Sequence, residues 1–290
     1  MSTMSEDILL DVENLSVTYR GEGGPVKAVR SVSFALGRER LGIVGESGSG
    51  KSTIGRALLR LLPTADITAD RIDFKGRDLT RATEKQMLGI RGRHISMILQ
   101  DPKFSLNPVQ TVGEQIAEAY WVHHKSSRRT ARDKTRAMLE AVRIVDPERV
   151  YELYPHEVSG GMGQRVMIAM MLIAEPEVLI ADEPTSALDV TVRLEILRLL
   201  DDLVTSRGVG LIMISHDLNL VRNFCDRVLI MYAGSVVESL PASRLRDAGH
   251  PYTRGLLAAQ PRIGAERAPL AVLERDPAWL SGDFRPGARP

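Results

Sequence analysis

The segment from Gly45 to Thr53 has the residue types and the spacing of a phosphate-binding loop. Its members are Gly45, Glu46, Ser47, Gly48, Ser49, Gly50, Lys51, Ser52 and Thr53. A glycine-rich backbone can curl so that successive N–H groups face one anion, and a following helix N-terminus attracts the same charge. Lys51 would reach the β- and γ-phosphates of a nucleotide, and the Ser52 hydroxyl would ligate Mg²⁺. The pattern therefore predicts a nucleoside triphosphate site.

The flanking segments predict the strand–loop–helix order that such a loop requires. Leu41–Val44 is a short apolar run typical of a buried strand, and Ile54–Leu62 carries apolar residues at helical spacing. A glycine- and serine-rich loop without chemistry is the alternative interpretation. The strand before the loop and the helix after it argue against that alternative.

The composition is that of an ordinary globular chain. The 290 residues include 43% hydrophobic and 26% charged residues, and 38 Lys and Arg balance 37 Asp and Glu. With this balance of charges, no net electrostatic field favours binding to nucleic acid or anionic lipid. The single cysteine, Cys225, excludes an internal disulfide framework and is expected to pack. The start, MSTMSEDILL, does not resemble a signal peptide, and the longest apolar run, Val166–Ala174, is shorter than the about 20 residues of a membrane span.

The N-terminal residues predict an antiparallel sheet beside the phosphate-loop core. Ile8–Tyr19 is strand-like with a break at Asn14, Gly21–Pro25 is a turn, and Ala28–Leu36 alternates as a half-buried strand does. The aromatic ring of Tyr19 could stack on adenine, or it could simply pack on an edge strand.

Polar residues follow three apolar segments that predict buried strands, at 94–99, 178–181 and 210–214. Ligands of open α/β sheets gather at strand C-termini, so Gln100, Asp182, Glu183 and His216 are candidates for one site. Asp182 could hold Mg²⁺, and Glu183 could take a proton from an attacking water. A surface amide, a solvated pair of carboxylates and a structural histidine are the alternatives.

Residues 111–153 are predicted to be mostly helical, with a capping box formed by Thr111 and Glu114. The basic run within them, 128–134, is expected to be a solvated helix face. Ser159, Gly160 and Gly161 then precede a helix predicted over Met162–Ile173. They could form a second anion-binding helix N-terminus, or Ser159 could be a plain N-cap.

The order and spacing of these motifs resemble the nucleotide-binding subunit of ATP-binding cassette (ABC) transporters from Ile8 to Glu238. The resemblance implies an α/β fold: a RecA-like P-loop core with a mostly parallel sheet, an N-terminal antiparallel β subdomain and an inserted helical subdomain at about 101–165. It places an ABC ATPase domain at 1–262 and an overlapping C-terminal extension at 235–290.

The resemblance also implies a role for each matched residue. Tyr19 is the aromatic that stacks on adenine, Gly45–Thr53 is Walker A, and Asp189 belongs to the D-loop. The signature residues, which bind the nucleotide held by a partner subunit, are Ser159, Gly160, Gly161 and Gln164. Glu183 is the general base, with His216 at the γ-phosphate and Gln100 sensing Mg²⁺ and the lytic water. Mg²⁺ would be held by Ser52, by Gln100 and, through water, by Asp182.

Three segments resemble the di- and oligopeptide importer subfamily, which includes nickel importers: SGGM with QRVMIAM, QDPKFSLNP, and Gly249–Leu257. Val158, Met162 and Gly163 depart from the common signature pattern beside the phosphate contacts. Some members hold an iron–sulfur cluster in the extension, but this extension has no cysteine, so no cluster is expected. Gly264–Pro290 is expected to be a loosely held tail.

The predicted function is ATP hydrolysis that powers uptake of a peptide-like solute at the cytoplasmic face of the membrane. The implied partners are a second ABC ATPase subunit, two transmembrane permeases and, indirectly, an extracytoplasmic solute-binding protein, with no nucleic acid. Import of nickel or another metal chelate, or of another small polar solute, is the alternative. A soluble ABC ATPase acting on DNA or ribosomes is disfavoured, because the chain has no sustained heptads and no second GKS. A small-molecule P-loop kinase would lack the SGG helix.

Overall fold

The structure, a computed structural model, describes residues 8–21, 23–101, 105–186, 188–260 and 279. The chain divides into two compact units, the first made of residues 1–80 and 213–290 and the second of residues 81–212. Several segments discussed above lie outside the described residues: the first seven residues, Glu22 of the predicted turn, 102–104 of QDPKFSLNP, and all of the predicted tail except Trp279.

An antiparallel sheet in the first unit confirms the prediction for the N-terminal residues. Its strands are β1 (Leu10–Gly21), β2 (Gly24–Leu36), β4 (Ala65–Thr68), β5 (Arg71–Phe74) and β6 (Arg77–Asp78). They are ordered β2-β1-β5-β6, and β4 also pairs with β1. Asn14 does not end β1. It adopts φ 54°, and the pairing with β2 shifts register between Val12 and Leu15, so the predicted break is a bulge in a continuous strand.

The strand that carries the phosphate loop is β3 (Arg40–Gly45), also in the first unit. It pairs in parallel with β10 (Arg227–Tyr232), which pairs antiparallel with β11 (Ser235–Pro241). The helices α1 (Lys51–Leu58), α8 (Leu218–Phe224) and α9 (Pro251–Ala258) belong to the same unit. The apolar residues of β3 are buried, as the sequence predicted.

Cys225 ends α8 as a buried packing residue. Burial, with the negative charge of Asp226 as a second cause, raises the pKa of its thiol to about 12. A thiol with so high a pKa stays protonated and unreactive at neutral pH. This agrees with the packing role expected from the sequence.

The second unit is mainly helical. Its helices are α2 (Glu84–Ile90), α3 (Val112–His123), α4 (Arg128–Ala141), α5 (Pro147–Tyr151), α6 (Gly160–Leu172) and α7 (Val190–Arg207). Its strands β7 (Ile95–Ile98) and β8 (Val178–Asp182) are parallel and fully buried. Strand β9 (Gly210–Ser215) begins in this unit and ends in the first.

The helical region predicted from residue 111 onward starts at the predicted capping box. The Thr111 hydroxyl accepts from the Glu114 N–H, and the Glu114 carboxylate accepts from the Thr111 N–H, both at 3.3 Å. Arg132 of α4 lies 4.6 Å above the Tyr151 ring and donates to Glu152 at 2.6 Å. Within the described residues, no helix combines the length and the apolar character needed to cross a membrane.

Candidate active site

The phosphate loop connects β3 to α1 and depends on two glycines that lie against neighbouring backbone. A Cβ on Gly45 would lie 2.2 Å from the carbonyl oxygen of Met231 in β10. A Cβ on Gly50 would lie 2.2 Å from the carbonyl oxygen of Ala28 in β2, and Gly50 also has φ 96°. Since backbone cannot move aside as a side chain can, only glycine fits these two positions.

Lys51 is the first residue of α1, and its side chain turns back into the loop. It is only 6% exposed, and its ammonium donates to the carbonyl oxygens of Gly45 at 2.8 Å and Glu46 at 2.7 Å. The Ser49 N–H also donates to the Glu46 carbonyl, at 3.2 Å. The loop therefore holds a buried positive charge at the N-terminus of a helix, which is the electrostatic requirement for polyphosphate.

The remaining loop residues divide between an exposed rim and the start of the helix. Ser47 and Gly48 are exposed, whereas Ser52 and Thr53 are half-buried in the first turn of α1. Ser52 therefore lies in the same helical turn as Lys51.

Two further candidates lie in the first unit. His216 is exposed directly after β9, and it lines a cavity of about 410 Å³ together with Gly45 and Glu46. The structure therefore brings His216 and the base of the phosphate loop to one cavity. Tyr19 is half-buried near the end of β1, where it pairs with Val26 and Ala65.

Sequence reasoning missed Tyr252 as a contact of the phosphate loop. The Tyr252 hydroxyl lies 3.1 Å from the Glu46 nitrogen and accepts its N–H. The available signal was the HPYT segment at the start of α9, because several of its side chains can form hydrogen bonds. Nothing in that segment alone indicates that its partner lies 206 residues earlier in the chain.

The carboxylates of the second unit lie at the end of β8. Asp182 is the last residue of that strand and is 1% exposed. Glu183 follows it, half-buried, with φ 48°. The Ser186 N–H and hydroxyl both donate to the Glu183 carbonyl at 3.2 Å, which stabilises a backbone conformation that costs a non-glycine residue about 1–3 kcal/mol.

The signature segment begins α6 two residues before the predicted start. Ser159 is the N-cap, and its hydroxyl accepts from the Met162 N–H at 3.3 Å. Ser159 and Gly160 are exposed, and a Cβ on Gly160 would meet no atom within 4 Å. Gln164 differs from these residues, because it is buried in the second unit at 2% exposure.

Asp189 and Gln100 are also found in the second unit. The Asp189 carboxylate caps α7 by accepting from the N–H groups of Thr191 and Val192 at 3.0 Å. Gln100 is exposed two residues after the end of β7. Asp189 therefore lies at the N-terminus of α7, and Gln100 lies in the segment that follows β7.

Comparison with known proteins identifies the family. The sequence profile of the ABC transporter family matches residues 29–186. The chain is 50% identical over 264 residues to a probable peptide ABC transporter ATP-binding protein of Sinorhizobium fredii, covering 90% of this chain and 79% of the relative. It is 47% identical over 276 residues to the dipeptide transport ATP-binding protein DppD of Bacillus subtilis, covering 94% and 82%. The chain belongs to the ATP-binding subunits of ABC transporters.

Solved structures give the same assignment for the fold of this ABC subunit. The ATP-binding cassette MJ0796, solved as a dimer in a post-hydrolysis state with ADP and phosphate, has a TM-score of 0.71 at 26% identity. The match covers 80% of this chain and 98% of that one. CbiO1 of Clostridium perfringens also has a TM-score of 0.71, at 28% identity, with 83% and 92% covered. The predicted RecA-like ABC fold is confirmed, and the subunit is an ATPase.

Replacing Lys51 by alanine is expected to weaken ATP binding by roughly 10- to 100-fold, because hydrogen bonds to charged groups contribute about 1.5–3 kcal/mol. Titration of the purified variant with a fluorescent ATP analogue measures this loss. Lys85→Ala, which removes an exposed lysine from α2, is the matched control and should bind as the wild type does. Unchanged affinity in Lys51→Ala would contradict the assignment of the loop.

Proposed function

We propose that this ABC subunit hydrolyses ATP to power the import of a peptide-like solute through separate permease subunits. The observation that carries the proposal is the 45–50% identity, over most of the chain, to subunits named for peptide, dipeptide and oligopeptide transport. A further relative, 46% identical over 282 residues, is named for the import of glutathione, itself a small peptide, although the chain covers only 45% of that relative.

The nucleotide is proposed to bind to the candidate site residues of the first unit. Tyr19 stacks on adenine, the loop Gly45–Thr53 surrounds the phosphates, and Lys51 contacts the β- and γ-phosphates. His216 contacts the γ-phosphate. The cavity shared by His216 and the base of the loop supports this assignment, since a γ-phosphate must lie within reach of both.

The residues proposed to hold Mg²⁺ fit that ion. Ser52 offers a hydroxyl and Gln100 an amide oxygen, and the Asp182 carboxylate would act through a water. Mg²⁺ prefers oxygen ligands and keeps several waters, so one or two protein groups together with the phosphates suffice. The near-complete burial of Asp182 is consistent with a carboxylate that serves a cation. The bound ion would neutralise charge on the β- and γ-phosphates.

Glu183 is proposed as the general base. Its place directly after Asp182, at the end of the buried strand β8, supports this role, since ligands of open α/β sheets gather at strand C-termini. The carboxylate would accept a proton from water as that water attacks the γ-phosphorus.

Glu183→Gln keeps the size and polarity of the side chain but removes the base. We expect ATP binding to survive while kcat falls by about 10²–10⁴-fold, the contribution typical of a general base. Phosphate release at saturating ATP measures turnover. Glu175→Gln makes the same change at an exposed glutamate that also has a positive φ and should keep normal turnover. Turnover near wild type in Glu183→Gln would remove Glu183 from the mechanism.

The signature residues Ser159, Gly160, Gly161 and Gln164, together with Asp189, are proposed to act on ATP held by a second ABC ATPase subunit. That subunit is either an identical chain or a paralogue. The exposure of Ser159 and Gly160 supports this role, because an exposed helix N-terminus can bind the phosphate of a nucleotide that is held by the partner subunit. The dimeric structures of MJ0796 supply the precedent for pairing.

Ser159→Arg should abolish hydrolysis while ATP still binds to the variant's own loop, because a long side chain would occupy the surface where the partner's nucleotide rests. Phosphate release and nucleotide titration separate the two effects. Ser127→Arg, at the exposed N-cap of α4, is the control for the loss of a helix cap and should hydrolyse ATP normally. Normal hydrolysis by Ser159→Arg would contradict the composite site.

The domain division is also proposed from the family: an ATPase domain at 1–262 with a helical insertion at about 101–165, and an extension at 235–290. The subunit would dock on the cytoplasmic face of two permeases that receive solute from an extracytoplasmic binding protein. Gln100 lies immediately before Asp101 and the helical region. A movement of Gln100 in response to the γ-phosphate would therefore shift the segment proposed to contact a permease.

Reconstitution with the genetically linked permeases tests the transport proposal. We expect ATPase activity in vesicles to rise when the solute-binding protein carries a peptide and to stay low when it is unloaded. A rise with a nickel chelate instead of a peptide would establish the metal-chelate alternative. Failure of any permease to co-purify, with hydrolysis that responds to DNA or ribosomes, would refute an importer.

A further inference from the structure

We propose that Tyr252 of α9 is a positioning residue for ATP binding, which fixes the phosphate loop through the backbone of Glu46. This inference rests on the proposed role of that loop in binding ATP. It assigns to the C-terminal extension an effect on nucleotide affinity that acts through the backbone of the loop.

The Glu46 residue is bonded on both of its backbone polar groups. Its N–H donates to the Tyr252 hydroxyl at 3.1 Å, and its carbonyl accepts from the Lys51 ammonium at 2.7 Å and from the Ser49 N–H. One residue of the loop therefore connects the tyrosine to the lysine. A shift of Glu46 would move the carbonyl that orients the Lys51 charge.

Tyr252 is itself held in place by the start of α9. Glu238 of β11 accepts from the Gly249 N–H at 2.7 Å and from the Thr253 hydroxyl at 2.5 Å. The Tyr252 N–H donates to His250 Nδ1 at 3.1 Å. Burial lowers the pKa of His250, outweighing the opposite effect of Glu238, so the imidazole is neutral and can accept at neutral pH. The tyrosine ring is thus anchored independently of the loop.

Packing alone does not account for the hydroxyl of Tyr252. The residue is fully buried, and its ring lies 4.6 Å from the Tyr232 ring and 5.8 Å from that of Trp279. A phenylalanine would make the same ring contacts. What the hydroxyl adds is an acceptor for the Glu46 N–H, which would otherwise lose its partner in a part-buried position.

The far end of α9 approaches the same site. Leu256, Ala259 and Gln260 line the cavity of about 410 Å³ that Glu46 and His216 also line. Helix α9 therefore contacts the loop at its first turn, through Tyr252, and Leu256 of the helix and the two residues that follow it line the cavity at the base of the loop. Any ligand-dependent shift of the loop must be accommodated by α9, and by linkage the position of α9 must affect ligand affinity.

The decisive variant is Tyr252→Phe in the full-length purified chain. We expect the Kd for a fluorescent ATP analogue and the KM for ATP to rise about 3- to 10-fold, as follows from loss of one hydrogen bond. The kcat at saturating ATP should stay at the wild-type value, and amide exchange at Glu46 should accelerate. A purely structural role would instead lower the melting temperature without separating KM from kcat.

The matched control is Tyr232→Phe. It removes a hydroxyl from the neighbouring ring, and that hydroxyl has no hydrogen-bond partner in the described part of the chain. Its affinity for ATP should match the wild type. Equal affinities for Tyr252→Phe and Tyr232→Phe, with unchanged exchange at Glu46, would overturn the inference.

Lys51→Ala measured beside these variants distinguishes failure of the inference from failure of the proposed function. Loss of binding in Lys51→Ala together with normal binding in Tyr252→Phe would refute only the role of Tyr252. Normal binding in both would refute the loop itself as the ATP site. In the wild type, saturating ATP should also slow amide exchange within Pro251–Ala258, and no change there would contradict the coupling.

Discussion

Close approach of backbone to backbone at the phosphate loop is the constraint on which the first unit depends. The carbonyl of Met231 faces Gly45 and the carbonyl of Ala28 faces Gly50, each 2.2 Å from where a Cβ would stand. The Gly234 N–H adds a hydrogen bond to the Ser49 carbonyl at 3.0 Å. Strands β2 and β10 and the turn after β10 therefore shape the loop through main-chain atoms. Apolar side chains on these strands can exchange for one another, but the strand positions cannot shift without distorting the loop.

The same arrangement bears on the energetics of the ATP binding proposed for this loop. The Lys51 ammonium is buried and satisfied by two neutral carbonyls, so phosphate oxygens must compete with bonds that already exist. The gain from binding is the difference between a charged and a neutral acceptor, and hydrogen bonds to charged groups are the stronger by roughly twofold. A loop held rigid beforehand loses little entropy in the exchange. If ATP binds as proposed, contacts that hold Glu46 and Ser49 contribute to affinity without touching the nucleotide.

How far the sequence predicted the molecule depended on whether the determining residues were local. The phosphate loop, the Thr111 capping box and the buried strands were predictable because each depends on neighbouring residues. Asn14 was misread as a break, since the pattern of one strand does not reveal that its partner accommodates a bulge. The hydrogen bond between Tyr252 and Glu46 was not predictable, because it joins residues 206 apart and its donor is a backbone N–H, which every residue except proline has. The family resemblance supplied the roles of Glu183 and His216, which neither periodicity nor spacing could assign.

The departures of the signature from the common pattern have a physical explanation in α6. Ser159 and Gly160 are exposed at its N-terminus. The Ser159 hydroxyl accepts a hydrogen bond from the backbone N–H of Met162, so the bond does not involve the methionine side chain. Gly163 is buried within the helix. A capping bond to main chain is indifferent to the side chain that follows, so methionine and glycine can replace glutamines there while the polar N-terminal surface stays the same. The capping bond at this end of α6 therefore depends on the Ser159 hydroxyl and the main chain of Met162, and not on the side chains at positions 162 and 163.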